Sequence, residues 1–262
     1  MTVHTDPTTR VVLLGASNLT RGISTVVGMS RNIVGAPCAF FIAMGLGRSY
    51  GQRSTVLGRS LPGITECGLW PALQYGSGPV LALITDVGND VIYGVPVKTI
   101  VAWVSTCIDR LQAAGATIVV TLPPMESIER LGPWRYHIAR SLLFPGRRMP
   151  LADVVRRSRE LAAGLTTLGG LDGVTVVEPE GRWYGLDPIH PRRRHLGTAW
   201  RKALGPWAAA TAGAGPASVT VSPTRWARLM TATPQLWWLM GRKMGRDQPC
   251  GRLPDGSTTW LY

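Results

Sequence analysis

The chain has 262 residues, of which 45% are hydrophobic and 16% are charged, so it can bury one sizeable core and is not expected to be disordered. The polar residues 1–10 precede an apolar run of only four residues, too short for a signal-peptide core or a membrane span, so we expect a cytoplasmic protein. The net charge of +13 would suit a polyanionic partner, but no nucleic-acid motif accompanies it, so nucleic acid is not an expected partner.

Five short, almost continuously apolar runs predict strands that are buried on both faces of a parallel sheet. In chain order they are 11–15, 38–44, 79–85, 117–122 and 173–179. Amphipathic segments between and after them predict helices over 97–115, 151–170 and 190–208. This alternation predicts a doubly wound α/β/α sandwich with a parallel sheet of about five strands.

Changes in composition divide the chain into four predicted parts. A tail (1–10) precedes the main α/β domain (11–208), and a linker rich in Ala and Gly (209–222) leads to a basic, Trp-rich extension (223–262). Two interpretations of the extension remain open: an apolar cover packed over the sheet or the site, or weak contact with a membrane surface. No internal repeat is present.

The four cysteines show no metal-binding or redox spacing. They are scattered through the chain, and no Cys-x-x-Cys pair occurs. We therefore expect reduced, buried thiols instead of a disulfide framework or a zinc site. The residues are Cys38, Cys67, Cys107 and Cys250.

Polar and glycine-rich segments follow the predicted strands, at the edge where open α/β sheets bind ligands. Ser17 follows the first strand, the glycine turn 45–51 follows the second, and Asn89 follows the third. Asp187 and His190 follow the last strand, three residues apart. Their joint placement on one edge is more specific than any of these features alone.

This set of residues suits nucleophilic catalysis by a serine. A serine hydroxyl attacks a carbonyl efficiently only when a base removes its proton, and His190 is a suitable base at neutral pH. A carboxylate such as Asp187 would fix the histidine tautomer and stabilise the imidazolium. The amides of Ser17 and of a glycine in the 45–51 turn, with the Asn89 side chain, would stabilise the oxyanion.

Structural interpretations stand beside this one. Ser17 or Asn18 would serve as a helix N-cap, and Asp187 with His190 would form a surface turn before a helix. Asp90 is expected to hold its loop by hydrogen bonds. Three other histidines are rival bases, although none has an Asp three residues before it: His4, His137 and His195.

Two other catalytic or binding motifs fit less well. The glycines of the 45–51 turn follow a strand and would open a helix, as in a dinucleotide site, but no acidic strand end follows at the usual spacing. The nucleophile elbow of α/β-hydrolases requires Gly-x-Ser-x-Gly, whereas Leu19 occupies the last position here.

Over about residues 10–208 the chain resembles the SGNH hydrolase superfamily, also called the GDSL esterases and lipases. Four segments match the family blocks in order: GASNLTRG, AMGLGRSYG, VGND and DPIH. Two positions depart from the family pattern. Ala16 stands where Asp is usual, and Val87 stands where Gly is usual.

The resemblance implies a flavodoxin-like fold and ester hydrolysis without a metal or an organic cofactor. It implies a triad of Ser17, Asp187 and His190. It also implies an oxyanion hole formed by Ser17, Gly47 and Asn89, with Gly45 as a substitute for Gly47.

We therefore expect a serine hydrolase that acts on a small-molecule or lipid-like ester through an acyl-enzyme. Two alternatives remain open: an O-acyltransferase that uses the same site, and a non-catalytic binding protein that uses the basic face. The sequence does not indicate the acyl length, the alcohol portion or the oligomeric state.

Overall fold

The computed structural model describes residues 8–35, 37–143, 146, 148–211, 215, 219 and 222–262. Most of the predicted N-terminal tail and most of the predicted linker 209–222 lie outside these residues. The strands are β1 (Arg10–Leu14), β2 (Ala39–Ala43), β3 (Ser54–Val56), β4 (Arg59–Leu61), β5 (Val80–Ile84), β6 (Ala116–Thr121), β7 (Val174–Val177), β8 (Leu236–Leu239), β9 (Arg242–Gly245), β10 (Gly251–Arg252) and β11 (Thr258–Leu261).

The helices lie between and after these strands. They are α1 (Ser17–Val34), α2 (Leu69–Gln74), α3 (Asn89–Ile92), α4 (Val97–Ala113), α5 (Met125–Glu129), α6 (Pro133–Leu143), α7 (Leu151–Leu168), α8 (Arg193–Thr211) and α9 (Pro223–Thr231). The helices predicted over 97–115, 151–170 and 190–208 correspond to α4, α7 and α8. No helix among the described residues is long and apolar enough to span a membrane.

The main sheet has seven strands in the order β10-β11-β2-β1-β5-β6-β7, and all neighbours are parallel except β10 and β11. All five predicted strands are present, as β1, β2, β5, β6 and β7. The prediction of about five strands missed two, because β10 and β11 come from the C-terminal segment at the β2 edge.

Helices cover both faces of the sheet, which makes the fold an α/β/α sandwich. Val12 and Leu14 of β1 face α2, α4 and α7, whereas Val11 and Leu13 face α1 and α8. Because successive strand side chains point to opposite faces, a strand buried on both sides must be apolar throughout. This explains the unbroken apolar runs of the sequence.

The register brings the carboxyl ends of the central strands level with one another. Leu14 at the end of β1 pairs with Ala43 of β2 and Ile84 of β5, and Ile84 pairs with Val120 of β6. The segments that follow these strands therefore meet at one edge, where ligands bind in open α/β sheets.

The C-terminal segment 223–262 joins both sheets of the structure. Helix α9 packs on α1 through the buried Leu229, and Trp260 of β11 stacks on Phe41 of β2 with ring centroids 5.6 Å apart. Strands β8 and β9 complete a small antiparallel sheet of order β3-β4-β8-β9. The guanidinium of Arg53 lies 3.7 Å from the ring centroid of Trp238.

Candidate active site

Three side chains form a continuous series of hydrogen bonds at the carboxyl edge of the main sheet. Ser17 is the first residue of α1, and Asp187 and His190 lie in the loop before α8. His190 Nε2 lies 2.8 Å from Ser17 Oγ, and His190 Nδ1 lies 2.7 Å from Asp187 Oδ2. The serine and the histidine are buried. In this arrangement the imidazole can accept the serine proton while the carboxylate faces its other nitrogen.

Because Asp187 and His190 are three residues apart on one turn, both carboxylate oxygens of Asp187 have hydrogen-bond partners within that turn. Oδ1 accepts hydrogen bonds from the amides of Ile189 and His190, both at 3.1 Å, and Oδ2 faces the imidazole. Burial raises the pKa of Asp187, but the hydrogen bond and charge of His190 and the two amides outweigh it, so that the pKa lies below its ordinary value. The carboxylate therefore stays ionised at neutral pH and favours the tautomer with the proton on Nδ1.

The start of α1 is held by a carboxylate from the loop that follows β5. The N-cap residue is Ala16, and no side chain of the cap itself satisfies the first amides. Asp86, which follows β5, accepts from the Ala16 amide at 2.8 Å and the Leu19 amide at 3.1 Å. Neither Ser17 nor Asn18 is the N-cap, so the interpretation of either residue as a cap was wrong. Sequence reasoning gave Asp86 no role.

Asn18 connects the serine helix to the histidine loop. Its side-chain amide donates to Asp86 Oδ1 at 2.7 Å and to the carbonyl of Ile189 at 2.9 Å. Ile189 directly precedes His190. The same side chain therefore ties the segment that carries the serine to the segment that carries its hydrogen-bond partner, which fixes their relative position.

The candidate oxyanion donors come from the two loops after β2 and β5. Gly47 has a φ of 59°, which a residue with a side chain rarely adopts, and its carbonyl accepts from the Tyr93 hydroxyl. Asn89 is the buried first residue of α3, and its amide lies 3.5 Å from the Arg48 carbonyl. Asn89 and Ser17 line the same cavity, whereas Gly47 and Gly45 are not among its lining residues.

Val87, which departs from the family pattern, fits its place without strain. The left-handed backbone of this loop lies one residue earlier, at Asp86 with φ 62°, and Val87 does not share it. The Val87 side chain is buried in the core on the α4 face. A glycine is therefore not needed at this position.

Asp90 holds the glycine loop to the Asn89 segment. Its Oδ1 accepts from the Ser49 hydroxyl, and its Oδ2 accepts from the Tyr50 amide at 2.9 Å. Burial raises the pKa of Asp90 to about 6, although the two hydrogen bonds act in the opposite direction. This agrees with the expectation that Asp90 holds its loop by hydrogen bonds.

A mostly apolar cavity of about 150 Å³ opens beside Ser17. Its lining comes from the carboxyl ends of β5, β6 and β7 and from helices α5 to α8. Among the described residues that line it, Asp86 and Arg140 alone are charged. The described residues of the C-terminal segment and the residues 48–78 do not line it. Among the described residues, its shape is set by 17–18, 85–92 and parts of the segments 121–158 and 177–203.

His137 and His195 do not contact the serine. His137 is exposed on α6, and His195 Nε2 accepts from Arg194 Nε at 3.1 Å, while His4 lies outside the described residues. The dinucleotide motif lacks the helix it requires, because residues 44–53, all described, lead into β3. Among the described residues no group of three or more His, Cys, Asp or Glu side chains could hold a metal ion.

A carbohydrate acetylesterase family member from Sinorhizobium meliloti aligns with this chain at a TM-score of 0.52 and 13% identity, over 78% of this chain and 98% of that one. The chain therefore has the α/β/α fold of that structure. Two other structures align at lower scores. They are the psychrotrophic esterase EstA from Pseudoalteromonas sp. (TM-score 0.46, 15% identity, 76% of this chain and 97% of that one) and a GDSL-like lipase from Bacteroides thetaiotaomicron (0.43, 15%, 74% and 84%). No protein-family model and no curated protein matches the sequence.

Proposed function

We propose that this protein is a serine hydrolase of the SGNH superfamily that cleaves carboxylic esters through an acyl-enzyme. The observation that carries the proposal is the series Ser17–His190–Asp187, with hydrogen-bond distances of 2.8 Å and 2.7 Å. The SGNH-type fold supports it, because the three residues lie at the sheet edge where such folds bind ligands.

In the acylation step, His190 Nε2 removes the Ser17 hydroxyl proton while Oγ attacks the ester carbonyl carbon. The carbonyl oxygen becomes an oxyanion. When the tetrahedral intermediate collapses, the bond to the alcohol oxygen breaks and His190 returns the proton to that oxygen. The alcohol leaves, and the acyl group remains on Ser17. Asp187, ionised throughout, stabilises the imidazolium in between.

The oxyanion needs donors that are in place before the reaction. We assign this role to the amides of Ser17 and Gly47 and to the side-chain amide of Asn89. Each preorganised donor of this kind contributes roughly 100- to 1000-fold to kcat. The loops that carry these donors are held by Asp90, which limits the reorganisation needed during the reaction.

In the deacylation step, His190 removes a proton from water, whose oxygen attacks the acyl carbonyl carbon, and Ser17 leaves with that proton. The products are the carboxylic acid and the free enzyme. An acceptor alcohol in place of water would give acyl transfer by the same steps. The proposed steps use no metal and no organic cofactor.

The test is hydrolysis of p-nitrophenyl esters, from acetate to decanoate, by the wild-type protein and the Ser17→Ala variant. A fluorophosphonate probe followed by peptide mass analysis identifies the reactive serine independently of the ester. We expect turnover by the wild type, loss of turnover in the variant, and an adduct on Ser17.

A matched pair of histidine variants controls for non-specific damage. His190→Ala should lose activity, whereas His195→Ala should keep it, because His195 does not contact the serine. Turnover that survives in Ser17→Ala, or equal losses in both histidine variants, would overturn the proposal. Product partition in the presence of added alcohols measures transfer against hydrolysis.

A further inference from the structure

We propose that the acid part of the substrate is an apolar acyl group of about six carbons. The size is inferred by comparison, because a closed apolar cavity of similar volume in another protein holds one benzene molecule. This inference rests on the proposed function, since the acyl group would be the one transferred to Ser17. It begins from the cavity of about 150 Å³ that both Ser17 and Asn89 line.

The walls of the cavity are mostly apolar. Near the sheet edge they include Leu122 and Val177, and farther along they include Ile128, Leu131 and Val154, which belong to the small core cluster around α5 and α7. An acyl chain placed there would exchange water for apolar surface, which is favourable for each methylene buried.

Several polar groups of the walls are already engaged, whereas Trp200 Nε1 and Asn18 Oδ1 are buried and make no hydrogen bond to the described residues. The Tyr136 hydroxyl donates to the Met149 carbonyl, and the Thr121 hydroxyl donates to Thr85 Oγ at 2.8 Å. Both oxygens of Asp86 accept hydrogen bonds from the start of α1. A hydroxylated acid would find few partners beyond these two atoms and Arg140, and burying an unpaired polar group is costly. The cavity therefore favours an alkyl or aryl acid.

The dependence of kcat/KM on acyl length tests this inference. Each methylene that enters the cavity should raise kcat/KM by about fourfold, the factor that corresponds to burial of one methylene. We expect a rise from p-nitrophenyl acetate to hexanoate and a fall at octanoate and decanoate. Alkylboronic acids, which add reversibly to an active serine, should show the same order of inhibition.

A variant that narrows the cavity gives a second readout. Ala139 of α6 lines the cavity, so Ala139→Leu should lower the hexanoate-to-acetate ratio of kcat/KM at least tenfold. The matched control is Ala102→Leu on the exposed side of α4, which should leave the ratio unchanged. If Ala139→Leu does not fold, the boronic acid series on the wild-type protein decides.

The failure of this inference differs from the failure of the proposed function. A wild-type protein that depends on Ser17 but prefers acetate, or shows no dependence on acyl length, would overturn the acyl inference alone. A protein without any Ser17-dependent turnover would overturn both.

A second inference concerns Asp86 and comes from different contacts. We infer that Asp86 is a positioning residue for Ser17. Its carboxylate holds the amides on both sides of the serine, those of Ala16 and Leu19, and the side chain of Asn18. The negative charge also lies at the N-terminal end of α1, where it is stabilised by the helix dipole.

Asp86 compensates for the departure at position 16. The family pattern has an acid at this position, and Ala16 has no group to hold the first turn of α1. Asp86 supplies the carboxylate from the end of β5 and adopts a φ of 62°, which is sparsely populated for residues other than glycine. A left-handed aspartate next to the nucleophile indicates that its placement is functional.

Two substitutions distinguish the effect of the Asp86 carboxylate from the effect of its left-handed backbone. Asp86→Asn keeps one acceptor and tolerates the left-handed backbone, whereas Asp86→Gly fits the backbone and removes every acceptor. We expect kcat per folded molecule to fall about tenfold in Asp86→Asn and about 100-fold or more in Asp86→Gly. KM should change little, and the rate of fluorophosphonate labelling of Ser17 should fall by the same factors.

A purely structural role would lower the melting temperature and leave kcat per folded molecule unchanged. If Asp86→Gly keeps wild-type kcat while Ser17→Ala is inactive, the positioning role is wrong and the proposed function stands. Asp109→Asn, on the exposed side of α4, controls for the loss of one negative charge. It should leave kcat and the labelling rate unchanged.

Discussion

Asp90 gives a prediction about stability that can be worked out from the structure. Because burial raises its pKa from the ordinary 3.8 to about 6, the folded protein holds a proton between these pH values that the unfolded chain releases. The stability it contributes is therefore present at low pH and is lost as the pH rises through this window. The full difference corresponds to about 3 kcal/mol in the free energy of unfolding.

Asp90→Asn removes this dependence, because the amide resembles the protonated acid. The variant loses one acceptor, either for the Tyr50 amide or for the Ser49 hydroxyl, which costs about 1 kcal/mol at every pH. Between pH 4.5 and pH 7.5 the unfolding free energy of the variant should rise by about 2 kcal/mol relative to the wild type. This change is smaller than the full difference of about 3 kcal/mol, because Asp90 of the unfolded chain is already largely ionised at pH 4.5.

Urea unfolding followed by tryptophan fluorescence measures both proteins across this pH range. Asp109→Asn, with an exposed side chain, reports the effect of removing one surface charge. If the stability difference between wild type and Asp90→Asn is the same at pH 4.5 and pH 7.5, burial does not raise the pKa of Asp90 and the prediction is wrong.

Four further variants test the packing and the site. Gly22→Ala in α1 would place a Cβ 2.0 Å from Trp200 Nε1 and should lower the unfolding free energy by about 1–3 kcal/mol. By contrast, Gly197→Ala, with open space around it, should be neutral or stabilising in the same urea titration. Arg48→Met should cost about 3 kcal/mol or more on unfolding by urea, because a buried guanidinium that donates to three carbonyls is removed. Asn89→Ala should lower kcat for p-nitrophenyl esters roughly 100- to 1000-fold, and unchanged kcat would contradict its role as an oxyanion donor.

Much of the fold follows from the sequence because the central strands are buried on both faces. Such strands have unbroken apolar runs, and the helices between them show a clear helical periodicity of apolar residues. The strands β1, β2, β5, β6 and β7 and the helices α4, α7 and α8 could therefore be predicted. Strand β11 could not be predicted, because its pairing with β2 is a long-range contact of only four residues. Tryptophan and threonine favour strands, but they do not specify the partner.

The candidate site was predictable where the chemistry lies in local spacing. Asp187 and His190 lie on one turn, and Ser17 directly follows a strand, so their approach follows from the parallel topology. The position of Asp86 beside Ala16 could not be inferred in the same way, because it depends on a left-handed backbone after β5. The sequence did contain a signal for the role of Asp86. An acidic residue directly follows a buried strand, and the serine segment has Ala16 where the family pattern has an acid.

The pairing of β11 with β2 also affects how the protein is made. Strand β2 leaves the ribosome long before β11, which comes much later in the chain. Throughout this interval the hydrogen-bonding groups on one side of β2 have no neighbour, and an open strand edge can pair with other chains. Until β11 has been made, that edge therefore exposes the nascent chain to aggregation.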